Sequence, residues 1–190
     1  MGTRGSIGWT MDGKEYTETY NHYDSYPERL GCETLEVLKA VDLDLLKKKL
    51  QSIEMITDDG SLPTAKQIKR YQKYSENPNN MEKVNWYWLL KKMQGAIKFK
   101  EIAEGDLQHV IVNNGFMKDG LSCEYAYMVN FKTNKLEFFT GGTARRNKDR
   151  NGLSVYSKCK KVGALSFKRI KSESVDDLMK IVKEFYLITD

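Results

Sequence analysis

Apolar positions recur with two different periods along the chain, and the change of period predicts its elements. In residues 33–54 and 175–187 they return every three or four positions, the spacing of a helix that buries one face. Residues 123–131 instead alternate, with Tyr125 and Tyr127 on the same side of an extended chain. The pattern therefore predicts both amphipathic helices and half-buried strands.

Further elements are predicted on either side of a helical block. The Asp12-Gly13 pair is a strong turn signal, and it joins residues 3–10 and 14–20 in a predicted hairpin. Extended patterns also occur at 107–112, 136–140, 153–157 and 162–167, and helical patterns follow Thr64 and cover 81–94. In the last of these helices we expect Trp88 to face the core and Trp86 to be partly exposed.

Strands that flank a helical block, with hairpins outnumbering βαβ units, are typical of an α+β fold. We expect a mainly antiparallel sheet with a central helical insertion and a carboxyl-terminal helix packed on it. The chain shows no linker or internal repeat, so residues 1–190 are predicted to form a single domain.

Composition restricts the setting in which the protein works. No apolar run approaches the ~20 residues of a membrane span, so we expect no membrane association. The cysteines, Cys32, Cys123 and Cys159, are odd in number and far apart, which fits a reducing cytoplasm. With only two histidines in the chain, neither a metal site nor another cofactor is expected.

The positive charge is concentrated in the last third of the chain. Residues 143–171 carry ten Lys or Arg and one acid, Asp149, whereas the remainder of the chain is net negative. Arginine forks suit phosphate oxygens, and a run of cations gains from counterion release on nucleic acids. We therefore expect an anionic partner: RNA, DNA, a nucleotide or an acidic protein surface. The residues assigned to this surface are Arg145, Arg146, Lys148, Arg150, Lys158, Lys160 and Lys161.

A second candidate site lies at the amino terminus. Pairing in the predicted hairpin brings the start of the chain close to the segment after Tyr20, where polar side chains are dense. The candidate catalytic residues are Thr3, Arg4, His22, Asp24, Ser25 and Tyr26. Together they can perform acid–base chemistry or hold a phosphate. Alternatively, they satisfy backbone groups at a bend and have a structural role.

Two blocks of sequence resemble a largely uncharacterised family that occurs in bacteriophage and in some fungal proteomes. The first comprises residues 1–5 (MGTRG) and 20–27 (YNHYDSYP), and the second comprises 123–127 (CEYAY) with 136–138 and 141–142. The strand-first layout is also similar in outline to amino-terminal-nucleophile hydrolases. That similarity implies attack by Thr3, which gains a free amine only after two residues are removed.

Three classes of function follow from these observations. The phage resemblance implies an inhibitor of host defence, such as an anti-CRISPR protein, that binds guide RNA, other nucleic acid or a nucleotide signal through the basic last third. The alternative is a hydrolase: a metal-free ribonuclease with His22 as base and Arg4 or Tyr26 steadying charge, or an amide hydrolase of the amino-terminal-nucleophile type. The third is an interaction module in which His22 and Asp24 affect only stability.

Overall fold

The computed structural model describes residues 2–57, 61–81, 84–141 and 158–187, and the backbone alone of 147–148 and 154–155. Its strands are β1 (Gly5–Thr10), β2 (Thr17–Asn21), β3 (Glu54–Ile56), β4 (His109–Ile111), β5 (Tyr125–Asn130), β6 (Lys135–Thr140), β7 (Asn147–Lys148), β8 (Ser154–Val155) and β9 (Lys160–Ser166). Its α-helices are α1 (Cys32–Ala40), α2 (Leu43–Leu50), α3 (Ala65–Tyr71), α4 (Trp86–Leu89), α5 (Ile97–Ala103), α6 (Phe167–Ser172) and α7 (Val175–Leu187).

Five of these strands form the main sheet, in the order β2-β1-β5-β6-β9. Within this sheet β1 and β5 pair in parallel and the other three pairings are antiparallel, while β3 and β4 form a separate parallel pair. A parallel pair needs a long connection, which the helices between β2 and β5 provide. The predicted α+β class, mainly antiparallel sheet and central helical insertion are therefore confirmed.

One face of the sheet carries most of the core. Trp9 of β1 meets Phe99 of α5 edge to face, with ring centroids 6.3 Å apart. Phe138 of β6 contacts Phe185 of α7, with centroids 5.6 Å apart. The predicted carboxyl-terminal helix therefore has the expected bounds and packs on the sheet. None of the helices in the described ranges is long and apolar enough to cross a bilayer.

The opposite face of the sheet is also largely buried. A smaller apolar cluster joins Ala126, Met128 and Phe139 of the sheet to Met117 and Cys159. Met117 belongs to a 3₁₀ turn at Phe116–Lys118. A groove lies beside this cluster, lined in part by Met117, Phe139 and Cys159.

One of the predicted helices is interrupted in the structure. The pattern at 33–54 is divided into α1 and α2, because Val41 is extended and the Asp42 side chain accepts from the N–H groups of Asp44 and Leu45. This amino-terminal cap starts a new helix with nearly the same apolar phase.

The region 81–94 is also more broken than predicted. Asn85 caps the short helix α4, and the expected exposures of its tryptophans are reversed: Trp86 is 6% exposed and Trp88 is 52% exposed. Trp86 is buried because it stacks on His109, with ring centroids 5.1 Å apart. Helices α5 and α6 were not predicted, since lysines interrupt their apolar patterns.

Candidate functional site

The amino-terminal hairpin brings the start of the chain beside the segment after β2, as predicted. Gly5 is the register partner of Asn21. The backbone N–H of Ser25 donates to the Thr3 carbonyl over 3.1 Å. The candidate catalytic residues are therefore gathered at one end of β1 and β2.

Within this cluster, Ser25 is an internal structural group. The residue has no exposed surface. Its Oγ accepts from Nδ2 of Asn21 at 2.8 Å, and its carbonyl accepts from the Tyr127 hydroxyl at 2.8 Å. These bonds join the amino-terminal segment to β5 and leave no base beside the Ser25 hydroxyl.

His22 and Asp24 do not act on each other. Nδ1 of His22 lies 2.9 Å from the Tyr20 hydroxyl, whereas Asp24 is exposed at a turn with a φ of 52°. Burial, followed by the positive charges of Lys91 and Arg4, lowers the pKa of His22 below its ordinary value. The imidazole is consequently neutral at physiological pH and is oriented by a phenol.

The remaining members of the cluster lie at or near the surface. Arg4 is exposed, and its backbone N–H donates to a Glu124 carboxylate oxygen at 3.2 Å. Tyr26 is 37% exposed, and its carbonyl accepts from the N–H of Arg29. Thr3 is half-buried. The cluster thus presents a cation and a phenol beside a neutral imidazole.

Only part of the basic segment can be placed. Arg145, Arg146 and Arg150 lie outside the described residues, and so does the side chain of Lys148. Lys158, Lys160 and Lys161 are exposed at and before the start of β9.

These three lysines line the groove beside the smaller apolar cluster. Lys14 of the β1–β2 loop and Lys118 of the 3₁₀ turn line it as well. We call this surface, defined by Lys14, Lys118, Lys158, Lys160 and Lys161, the lysine groove. Its volume is about 760 Å³. Lys14 and Lys118 precede the basic segment in sequence, so the charge run did not reveal them.

Three carboxylates lie at or beneath the lysine groove: Glu15 lines it and is exposed, whereas Glu18 and Glu137 are engaged by other groups. Glu18 is buried and accepts from the backbone N–H groups of Gly115 and Met117 at 3.1 and 2.8 Å. Glu137 is buried beneath the groove and is held by Lys161 and by the Tyr16 hydroxyl. Within the described ranges the other four lysines of the groove form no ion pair, so their charge is available to a ligand.

Lys161 differs from the neighbouring lysines because it pairs with a buried carboxylate. Its replacement should therefore reduce the free energy of unfolding. Burial by itself raises the pKa of Glu137, but hydrogen bonds from Lys161 and Tyr16 outweigh it and leave that pKa below its usual value. In Lys161→Met the buried carboxylate keeps hydrogen bonds from Tyr16 and Asn130 but loses the only cation that pairs with it among the described residues, so we expect a loss of about 1–3 kcal/mol near pH 7. Urea unfolding of the variant and of the unmodified chain measures this loss.

The same experiment at acid pH tests whether the loss arises from the charged carboxylate of Glu137. A carboxyl whose pKa is lower in the folded chain stabilises the fold at pH values above its unfolded pKa of about 4.3. This stabilisation is lost as the pH falls through the pKa of the folded chain. The deficit of Lys161→Met should therefore shrink as the pH falls below about 4. Lys160→Met, which removes an exposed and unpaired neighbour, should change stability little. Equal losses in the two variants would contradict this assignment.

His109 of β4 is a buried, hydrogen-bonded histidine of the core. Its Nδ1 lies 2.7 Å from the Tyr71 hydroxyl. Its Nε2 lies 3.1 Å from Nε2 of Gln67 and 3.2 Å from a Glu54 carboxylate oxygen. Burial is the main cause that lowers its pKa, so the ring is a neutral part of the core at physiological pH.

A buried lysine that the sequence did not single out lies nearby. Lys98 of α5 is 1% exposed. Its Nζ donates to the hydroxyl of Thr19 on β2 and to the carbonyl of Gln94, the latter at 3.0 Å. Burial lowers the pKa of Lys98 to about 7, because an ammonium without a carboxylate is poorly solvated there.

Lys98 also lines a small cavity of about 50 Å³. The wall of this cavity includes Tyr20, whose hydroxyl contacts His22 of the amino-terminal cluster. Nothing in the local pattern separates Lys98 from the exposed Lys100 on the same helix, so only the packing of α5 against β2 reveals it.

Comparisons of the chain with protein-family models, with curated proteins and with solved structures found no match. Its chemistry is therefore inferred from its own residues.

Proposed function

We propose that the protein binds a phosphate-bearing ligand, a nucleotide or an RNA strand, in the lysine groove. The observation that carries this proposal is that lysines from three separate segments of the chain line the same groove. The β1–β2 loop, the 3₁₀ turn at Phe116–Lys118 and the start of β9 each contribute lysines to one concave surface. Cations from separate parts of a chain that face one cavity create a field that attracts anions.

The shape of the groove supports a ligand of nucleotide size. A volume of about 760 Å³ lies within the ~300–1,000 Å³ typical of small-molecule sites. Tyr16 and Phe139 line it and meet edge to face, with ring centroids 5.8 Å apart. Aromatic side chains beside cations are typical of surfaces that bind single-stranded nucleic acid, where bases stack and phosphates pair with lysines.

The wider role stays a prediction. Binding without catalysis fits an inhibitor that sequesters a nucleotide signal or competes for guide RNA, as the phage resemblance implies. The hydrolase alternative also stays a prediction, and the geometry of the amino-terminal cluster favours it less. Ser25 is buried and bonded to Asn21, and His22 is bonded to Tyr20 while Asp24 is exposed, so the described residues of the cluster contain no paired acid and base.

The proposal predicts salt-sensitive binding that depends on two lysines. A short labelled single-stranded RNA should bind at low salt, and the double variant Lys158→Ala/Lys160→Ala should weaken binding by about 10-fold or more. Two lost phosphate contacts should also reduce the slope of log affinity against log salt by about 1.4. Fluorescence anisotropy over a salt series measures both, and competition by ATP separates a nucleotide site from one that needs a longer strand.

The matched control is Lys48→Ala/Lys49→Ala, which removes the same charge from exposed positions on α2. The control should bind like the unmodified chain. If the two double variants lose affinity equally, only net charge matters and the groove is not the site. Failure of both RNA and ATP to bind at low salt would also remove the proposal.

A further inference from the structure

We propose that Lys98 and the cavity beside it form a covalent binding site for a small, uncharged aldehyde, held as an imine. This site is separate from the lysine groove, and it uses a buried amine that anion binding does not need.

The amine of Lys98 is isolated from acids. Its two partners are neutral oxygens, the Thr19 hydroxyl and the Gln94 carbonyl. No carboxylate forms an ion pair with it in the part of the chain that the structure describes. The Thr19 hydroxyl itself donates to the carbonyl of Ile7, so its oxygen accepts from Lys98 and fixes the direction of the amine. A buried lysine without a counter-ion favours the neutral form, which is the nucleophile.

The size and lining of the cavity define the ligand. Its volume is about 50 Å³, where a single water needs roughly 10–15 Å³ by the same kind of measure. The cavity therefore accommodates a molecule of about three or four non-hydrogen atoms. Its wall is largely apolar, with Leu90, Met93, Val110 and Ile111. Among the described residues that line it, Lys98 is the only Lys, Arg, Asp or Glu, so a carboxylate-bearing ligand has no second cation to pair with.

A route to the cavity runs past two tyrosines. Tyr20, Tyr87 and Ile111 line both this cavity and an adjoining cleft of about 460 Å³. The Tyr87 hydroxyl accepts from Lys91 at 2.5 Å. The cavity and the wider cleft therefore adjoin at these residues, which gives a small ligand a route inward.

The chemistry needs no oxidant or reductant. The lone pair of Nζ forms a bond to the carbonyl carbon, and the carbonyl π electrons move to the oxygen. One amine proton is transferred to that oxygen to give the carbinolamine, and the second amine proton then leaves with the hydroxyl as water while the C=N bond forms, so amine and aldehyde give imine and water.

Reductive trapping tests the proposal. The full chain is treated near pH 7 with propionaldehyde and sodium cyanoborohydride, which converts an imine to a stable propyl-amine, and peptides are mapped by mass spectrometry. We expect Lys98 to be labelled about 100-fold faster than the exposed Lys100 on the same helix, since ordinary lysines are almost fully protonated at this pH. The Lys98→Met variant should lose only this label.

Two comparisons make the outcome decisive. The amino-terminal amine reports that the reagent is active, and the bulky pivalaldehyde should label that amine but not Lys98. Labelling of Lys98 no faster than Lys100, or equal labelling by the bulky aldehyde, would overturn the proposal. So would an unlabelled Lys98 in a chain whose amino terminus is labelled.

Discussion

Replacement of Lys98 by Met is expected to stabilise the protein near neutral pH and to lose this advantage near pH 10. Burial lowers the pKa of Lys98 to about 7, whereas an unfolded lysine titrates near 10.4. Between these values the unfolded chain binds more protons than the folded chain. The stability of the unmodified protein therefore rises with pH in this window, and below pH 7 the full destabilising contribution is present.

The size of this effect follows from the separation of the two pKa values. Each pKa unit corresponds to about 1.4 kcal/mol, so the contribution of Lys98 should change by about 3–4 kcal/mol between pH 7 and pH 10. Methionine has a similar length and no charge, and it fills the same space without an ammonium.

Urea unfolding at the two pH values, followed by tryptophan fluorescence, measures this difference. Subtracting the variant from the unmodified chain cancels other titrating groups such as the tyrosines. Lys100→Met, an exposed position on α5, should give a curve parallel to that of the unmodified chain. A parallel curve for Lys98→Met would mean that the buried amine titrates normally, and that its environment is not the one described.

A second large effect is expected at Gly8 in the middle of β1. A Cβ at this position would overlap the carbonyl oxygen of Thr17 on the neighbouring strand. Backbone atoms of a paired strand cannot move aside without breaking the pairing of β1 with β2. We expect Gly8→Ala to destabilise by about 3 kcal/mol or more, as overpacking against a rigid neighbour does.

Gly95→Ala is the matched control, because the nearest atom to its added Cβ lies 3.8 Å away. That variant should be neutral or slightly stabilising, since alanine restricts the unfolded chain more than glycine does. Thermal unfolding of both variants measures the contrast. Similar midpoints would show that β1 and β2 do not approach as closely as described.

The elements with regular local patterns were predictable from the sequence. The Asp12-Gly13 turn gave the hairpin, and the stripe at 175–187 gave α7 with its bounds. The division of the 33–54 pattern at Asp42 was missed, because α2 continues almost the same apolar phase as α1. The exposures of Trp86 and Trp88 were reversed, since a helix of one turn has too few residues to establish a buried side.

The candidate sites were less accessible to sequence reasoning. The basic run was visible, yet the charge of Lys161 is taken up by Glu137, 24 residues away in the chain. Cys123 and Cys159 are also far apart in the sequence, yet the Cys159 thiol donates to the Cys123 carbonyl at 3.2 Å. Such pairings depend on strand register in a sheet built from distant segments, and register is set by packing as a whole.

The central claim is that anions bind in the lysine groove. Its most direct test is to map which backbone amides change their chemical shift when a ligand binds. Backbone amide resonances of labelled protein are followed by NMR during titration with the single-stranded RNA at low salt. The shifts are predicted to centre on residues 158–161 and on the Gly115–Lys118 segment, with residues 43–50 of α2 unchanged. Shifts confined to α2 or to the amino-terminal cluster, with none along the groove, would contradict it.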